Sequence, residues 1–494
     1  RILVAVAERT LGTKVFDIKS PRGEALPQET RAGLIGVTRR VDRGNPHQIG
    51  RQRGERVPLA VDTAKQIVNF SSGHKGKLER FNLPGQGFRV PPMTALAETL
   101  PTLPEIHLQA GRHKRARQGH PWIFSNEIEM DADAKALPPG GLVQLIDASK
   151  RPLGVATFNP HPLIAARILS RDPEAIIDGE FITARVRAAL AVREALYTVP
   201  YYRLMHAEAD GLPGLIIDRF GDVLVVQVNT AGMENLSEVL TASLQEVLAP
   251  KTIFFRNDSA VRNLEGLPQE TRIVGEALEG PIEVMENGGV FQADPREGQK
   301  TGWFYDQRDN RAFVAALSKD KRVADFYSYT GGFAVSAALA GAREVHAFDR
   351  SQAALDFATQ AAAVNGVAEK FSATRGDAFQ LLHGFATEGE TYDVVVVDPP
   401  AFVKSKKDLQ AGIRGYRKLF RLAAQIVAPG GYLFAASCSH HVDPPSFADA
   451  VRRALADTGR NGRILRSSGA APDHPVHPFL PETGYLKGQM IQLD

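Results

Sequence analysis

The chain has 494 residues, 43% of them hydrophobic and 23% charged, a composition ordinary for a soluble globular protein and a length that allows roughly three domains. No stretch offers enough consecutive apolar residues for a spanning helix, and a single cysteine excludes a disulfide framework, so the expected location is a reducing cytoplasm with no membrane partner. The net charge of +3 is unevenly spread: residues 1–92 hold 17 basic and 8 acidic side chains and the remainder holds 42 and 48, so any RNA contact by the main body must come from local patches.

Residues 1–92 mix Gly, Pro, Arg and Gln without sustained periodicity, as in Arg43 to Arg56, and the first methionine is Met93. The expectation is that this stretch lies outside the functional fold and precedes a natural start at Met93; a basic tail adding non-specific RNA affinity is the alternative. Over 106–180, short strand-like pieces such as Gly141 to Asp147 and Gly154 to Phe158 predict a small β-barrel. Arg112, Lys114 and Arg115 precede Trp122 there, a basic run beside aromatics that suits phosphate contact and base packing; a solvated loop with a buried tryptophan is the alternative. Over 181–290, a helix from Phe181 to Leu196, a hairpin of Leu215 to Arg219 with Val223 to Val228, a helix over 234–248 and a strand from Thr252 to Arg256 predict a compact α+β module.

From 291 to 494 strands and helices alternate: Arg322 to Asp325, a helix over 334–340, Glu344 to Asp349, a helix over 351–365, then Tyr392 to Asp398. That rhythm predicts a mostly parallel sheet covered on both faces, with Gly484 to Leu493 as an antiparallel edge strand. The fold class is therefore α/β, a Rossmann-like domain preceded by the barrel and the α+β module.

Ligands of such sheets bind at the carboxyl ends of the strands, where this chain concentrates its chemistry. Gly331 and Gly332 close the segment Asp325 to Phe333 and permit close backbone approach. Asp349 ends the next strand, where a carboxylate can accept ribose hydroxyls, and Asp377 could accept from an adenine amine; each could instead be a turn or N-cap residue. Neither a phosphate-binding loop nor G-x-G-x-x-G is present, which favours a cofactor without phosphates. Asp398-Pro399-Pro400-Ala401-Phe402 follows one apolar strand, and Cys438 follows another, Gly431 to Ala436. A lone cysteine can be a small buried hydrophobe; at a strand end it suggests a nucleophile. From Lys404 to Arg421 there are seven basic residues and one acid, with Arg417 and Arg421 one helical turn apart, a candidate phosphate-binding face or an ordinary solvated helix. No metal site is expected.

From about 106 to 494 the chain resembles the PUA-containing class I methyltransferases that make 5-methylcytosine in large-subunit (23S) ribosomal RNA. The segments that carry the likeness are Asp210 to Arg219, Gly298 to Arg308, Asp325 to Phe333, Asp398 to Phe402, Ser437 to Ser439 and Tyr485 to Gly488. The resemblance implies a PUA RNA-binding domain, a central α+β domain and a Rossmann-like S-adenosylmethionine domain. It implies that Arg308, Asp325, Tyr327, Thr330, Gly331, Gly332, Asp349, Asp377, Asp398 and Pro399 hold the cofactor. Cys438 would add to cytosine C6, Asp398 would hydrogen-bond the base edge, Phe402 would stack on the ring, and Lys404 is either a contributor to the thiolate or, the favoured alternative, a solvated surface lysine. Large-subunit ribosomal RNA would be the partner, and a homodimer is left open. Two-cysteine relatives carry a second thiol in the Asp-Pro region, where this chain has Ala401. Methylation of an adenine or guanine amine, and a non-catalytic RNA-binding factor that keeps the cofactor pocket, are the rival readings.

Overall fold

A computed structural model describes residues 102–494; the expectation about residues 1–92 lies outside them. The first module is a five-stranded sheet, β1 (Glu105–His107), β2 (Trp122–Phe124), β3 (Gly141–Ile146), β4 (Pro152–Phe158) and β5 (Ile164–Ser170), ordered β1-β3-β4-β5-β2. The chain leaving β2 bonds back to β1, with Gln109 N–H donating to the Glu127 carbonyl at 2.9 Å and Glu129 N–H to that of His107 at 2.8 Å, which closes the sheet into a barrel. Val143, Leu145, Ala156, Ala166 and Ile168 fill its inside. The basic run beside it is a helix, His113–Gln118, rather than a loop; Arg171 fastens it by donating to the Ala116 carbonyl at 2.7 Å.

The second module is a sheet ordered β10-β9-β8-β7-β6, built from β6 (Tyr201–His206), β7 (Leu215–Phe220), β8 (Val223–Val228), β9 (Thr252–Asn257) and β10 (Glu270–Gly275). Helix Gly179–Leu196, capped by the Asp178 carboxylate, packs on it. The single helix expected over 234–248 is two, Ala231–Asn235 and Ser237–Leu248. The first docks on the barrel, where a Cβ on Gly232 would come within 2.4 Å of Thr157. A hairpin, β11 (Ile282–Glu286) with β12 (Gly289–Ala293), then straddles residue 290 and is tied to helix Gln352–Val364 by reciprocal bonds between Val290 and Asn365.

The third module is a seven-stranded sheet of β13 (Arg322–Phe326), β14 (Glu344–Asp349), β15 (Phe371–Arg375), β16 (Tyr392–Val397), β17 (Val427–Ser437), β18 (Gly462–Ser468) and β19 (Lys487–Leu493), ordered β15-β14-β13-β16-β17-β19-β18. β16 reads as a continuous apolar run because both its faces are covered: Val395 and Val397 enter one core with Leu419, Phe420 and Phe447, while Val394 and Val396 enter the other with Phe333 and Val345. The C-terminal strand is not the edge that the sequence predicts. β18 pairs outside β19, and its polar, arginine-bearing sequence is that of a solvated edge, which hides it from a search for apolar runs. The strand order reverses at β13, flanked by β14 and β16, so a crevice opens at their carboxyl ends.

Candidate active site

The turn leaving β13 is strained for a purpose. Tyr327 and Tyr329 hold φ of 64° and 50°, a costly conformation for side chains of this size. Gly331 follows at 82°, where a Cβ would lie 2.8 Å from that of Ala358. A Cβ on Gly332 would meet Arg311 Nε at 2.5 Å. The turn is thus packed against Ala358 of helix Gln352–Val364 and against Arg311, and Asp325 Oδ2 accepts the Ala334 N–H of helix Gly332–Leu339 at 3.1 Å. Asp325 Oδ1, Ser328 Oγ and Thr330 Oγ1 are buried without a partner, a concentration of unspent polar atoms that a bound polar ligand would satisfy. Burial, then the neighbouring carboxylates Asp398 and Asp349, hold the Asp325 carboxyl well above the usual range. Asp349 accepts the Tyr329 and Ser351 N–H groups at 3.0 and 2.9 Å, one per oxygen, which leaves each oxygen capacity to accept a further hydrogen bond. Asp377 is the N-cap of helix Ala378–Glu388, accepting from Gln380 N–H at 3.2 Å. These residues suit an adenosine-bearing cofactor.

Arg308 is a correction. It is buried, its guanidinium lies 4.2 Å from the Tyr197 ring centroid and it bonds to the Tyr201 carbonyl, so it is committed to joining the second and third modules. The arginine against the glycine turn is Arg311, paired with Glu286 at 2.6 Å and set over Trp303.

β16 and β17 are parallel neighbours with Val397 opposite Ala435, so Asp398 and Cys438 leave the same end of the sheet on adjacent strands. Cys438 Sγ lies 3.8 Å from the Pro399 carbonyl oxygen. Ser439 joins the two loops: its Oγ receives the Val403 N–H at 3.2 Å and shares a 2.8 Å bond with the Tyr416 hydroxyl. Asp398 is oriented by Gln307, which donates to Oδ2 at 2.8 Å and is itself held by Asn310 at 2.6 Å. Burial, then the charge of Asp306, push the Asp398 carboxyl up to about 7, against the pull of the Gln307 hydrogen bond, Arg311 and Lys300. Burial, then Asp398, push the Cys438 thiol up to about 11, and Lys300 opposes them. Lys404 is exposed, and a lysine that favours the thiolate is Lys300, in the segment Gly298 to Arg308. Composition alone did not single out Asp306, whose Oδ2 accepts the Tyr485 hydroxyl, or Lys487, whose Nζ donates to the Ser439 and Tyr485 carbonyls at 2.6 and 2.7 Å; both lie in segments that carry the family likeness.

Comparison with known proteins agrees with this geometry. Residues 106–171 match a PUA-like domain family, and residues 233–464 match the family of S-adenosylmethionine-dependent methyltransferases. The protein named Ribosomal RNA large subunit methyltransferase I of Aeromonas salmonicida is 39% identical over 392 residues, spanning 78% of this chain and 98% of that one. Its namesake in Cronobacter sakazakii is 39% identical over 386 residues, 77% of this chain and 97% of that one.

The chain belongs to the ribosomal RNA large subunit methyltransferase I family.

It is an S-adenosylmethionine-dependent methyltransferase with a PUA-like domain ahead of the catalytic one. The same fold occurs in a solved SAM-dependent methyltransferase from Streptococcus mutans, 18% identical over 79% of this chain and all of that one, with a TM-score of 0.67. It occurs also in a methyltransferase solved in complex with SAH, 19% identical with the same coverage and a TM-score of 0.69.

In this member of the large subunit methyltransferase I family the candidate RNA contacts divide into free and spent groups. Arg112 and Lys114 are exposed. Arg115 pairs with Glu127 at 2.8 Å over the Phe124 ring, and Trp122 Nε1 donates to Glu208 at 2.7 Å, so both serve the barrel and its junction with the second module. A cleft of about 580 Å³ lies at that junction, walled by Arg171, Arg185, Val192 and His477. Phe402 is half-buried, stacked on Tyr416 at 4.7 Å and near Phe379 at 6.2 Å, which limits what it can offer a base. The basic segment is a helix, Leu409–Gln425, as its spacing suggests. Arg417, however, forms a two-pronged pair with Asp457 at 2.7 and 2.6 Å, and Arg421 also lies in the field of Asp457. The exposed cations of this helix are Arg414 and Lys418. Among the described residues no helix is long and apolar enough to cross a membrane, and no cluster of His, Cys, Asp and Glu suits a metal ion.

Proposed function

We propose that the enzyme methylates C5 of a cytosine in large-subunit ribosomal RNA through a transient bond between Cys438 Sγ and C6 of the base. The observation that carries this reading is the chain's one thiol lying beside the Asp398-Pro399 turn, at the ends of adjacent parallel strands and next to the cofactor crevice. S-adenosylmethionine, when bound, supplies an electrophilic methyl group. Cytosine C5 is a poor nucleophile until a group adds at C6, and a thiolate is suited to that addition. An Asp398 carboxyl poised near neutral pH can donate its proton to N3 as electron density moves onto the ring, and can accept from the exocyclic amine. After C5 has gained its methyl group, a base such as water takes the C5 proton, the N3 proton returns to Asp398, and cleavage of the C6–S bond restores the aromatic ring and returns the electron pair to sulfur. Ala401 leaves no second thiol to assist release. A base within a duplex cannot reach this crevice, so the substrate cytosine is single-stranded or flipped, and a ribosomal substrate places the reaction in the cytoplasm.

The deciding experiment is transfer of a labelled methyl group from S-adenosylmethionine to large-subunit ribosomal RNA from cells lacking the protein, followed by nucleoside analysis. 5-Methylcytosine is the expected product. N-methylated adenosine or guanosine would replace this reading with amine methylation, and cofactor binding without transfer would leave an RNA-binding factor.

Arg414 and Lys418 supply the helix's exposed phosphate-facing charge in this scheme. The double substitution Arg414→Glu with Lys418→Glu should weaken RNA binding and lower the slope of log affinity against log salt by about 2, with cofactor affinity unchanged. An unaltered slope in the double variant would assign RNA contact to another face.

A further inference from the structure

Lys487 is 6% exposed, and it begins β19 directly opposite Ser437, the residue before the nucleophile. A lysine ammonium has three N–H donors and is costly to bury unless they are satisfied. Two of the three go to backbone carbonyls, those of Ser439 and Tyr485, and no partner for the third is found among the described residues. A neutral donor would satisfy those carbonyls as well, so fastening the loop does not explain why a cation is buried at this point.

We propose that Lys487 is a positioning residue for the nucleophile: it clamps the loop that carries Cys438 and directs its positive charge at the sulfur, so that the thiolate is stabilised inside a crevice that otherwise disfavours it. The inference rests on the reading of Cys438 as the nucleophile. Several other groups contribute to the field there. Lys300 and Asp306 come from the segment before helix Arg308–Ala316, Asp398 from the exit of β16, and Tyr416 from helix Leu409–Gln425. His440, His441 and Asp443 come from the nucleophile's own loop, and Tyr485 from the approach to β19. The carboxylates oppose thiolate formation and Lys300 offsets them, while the Lys487 ammonium is favoured by the charge of Cys438. Burial lowers the Lys487 ammonium to about 8, against the upward pull of Cys438 and Asp443, so the charge is largely present at neutral pH.

Because Cys438 is the only thiol in the chain, alkylation of the folded full-length protein by iodoacetamide, followed by intact mass as a function of pH, reports this one group without RNA or turnover. The thiol proton passes to solvent base, the S–C bond forms and iodide leaves. Lys487→Gln, which keeps an amide donor for the carbonyls but no charge, should slow alkylation about tenfold below about pH 8, where the wild-type ammonium is present, and the two profiles should converge above it as the lysine loses its proton. Lys487→Arg should lower the midpoint below that of the wild type, since a guanidinium stays charged throughout the titration. S-adenosylmethionine binding reports that each variant is folded. A role in loop packing alone would scale the rate by the same factor at every pH, through access to the sulfur; that result in Lys487→Gln overturns the proposal. If the glutamine variant does not fold, Lys487→Arg decides alone, and a midpoint equal to or above the wild type's rejects the electrostatic role. Failure of methyl transfer to cytosine would not affect these midpoints, so the two readings fail separately.

Discussion

Cys438→Ala should lower methyl transfer to RNA by at least about 10⁴-fold and leave S-adenosylmethionine affinity within about twofold. The thiol is the chain's only one, and Ala401 occupies the place where a second could assist, so no other soft nucleophile stands ready for C6. The cofactor crevice does not need the sulfur: its unpartnered polar atoms lie on the turn after β13. Removing the sulfur costs the fold little, because its one polar contact is a weak 3.8 Å approach to the Pro399 carbonyl. A covalent readout makes the test specific. RNA carrying 5-fluorocytosine has no C5 proton to release, so the wild-type enzyme should form a denaturation-resistant protein–RNA adduct and the alanine variant none. Turnover near the wild-type rate in Cys438→Ala would remove the covalent step and favour methylation of an exocyclic amine, which needs no thiol.

What the sequence disclosed and what it concealed follow from the range of the interactions involved. β16 and the ends of β13 and β14 were legible because a strand buried on both faces must be apolar throughout, and because glycines mark a turn that side chains would obstruct. Asp398 and Cys438 were legible as residues following such strands. Their adjacency was not, since it depends on the register of β16 with β17 across some forty residues of chain. The same distance hid the Arg417–Asp457 pair: two helices must pack before an arginine on one is neutralised by an aspartate on the other. Lys404 lies closer in sequence to Asp398 than Lys300 does, yet it points to solvent. Arg308 illustrates the reverse case, because it belongs to a segment typical of the family and spends its charge on the junction between modules. The positive φ angles of Tyr327 and Tyr329 carry no compositional mark, and they are tolerated because the packed turn enforces them.

Asp398→Asn should separate stability from activity. The Asp398 carboxyl is pushed up from an ordinary 3.8 to about 7, so folding disfavours its charge. Below about pH 4 the group is neutral in folded and unfolded chains alike, and it adds no pH-dependent cost. Between about 4 and 7 the unfolded chain has released a proton that the folded chain keeps, so the folded state loses relative stability as pH rises. Above about 7 the charge is present in both and the whole cost is borne. A shift of about three units corresponds to an upper bound of about 4 kcal/mol, and part of the Asp398 surface opens to the crevice, so about 2 kcal/mol is the better expectation. Asparagine keeps an oxygen to accept from Gln307 and cannot ionise. The variant should therefore unfold at a higher temperature than the wild type at pH 8, and the two curves should converge as pH falls toward 4. Its methyl transfer should drop by about 10²-fold or more, because an amide can donate a hydrogen bond to N3 but has no proton to give up. Calorimetry across this pH range reads the first effect and single-turnover transfer reads the second. A wild type that is the more stable of the two at pH 8 would mean that the carboxylate is welcome in the crevice, and Asp398 would then act there as a fixed charge and not as a proton donor.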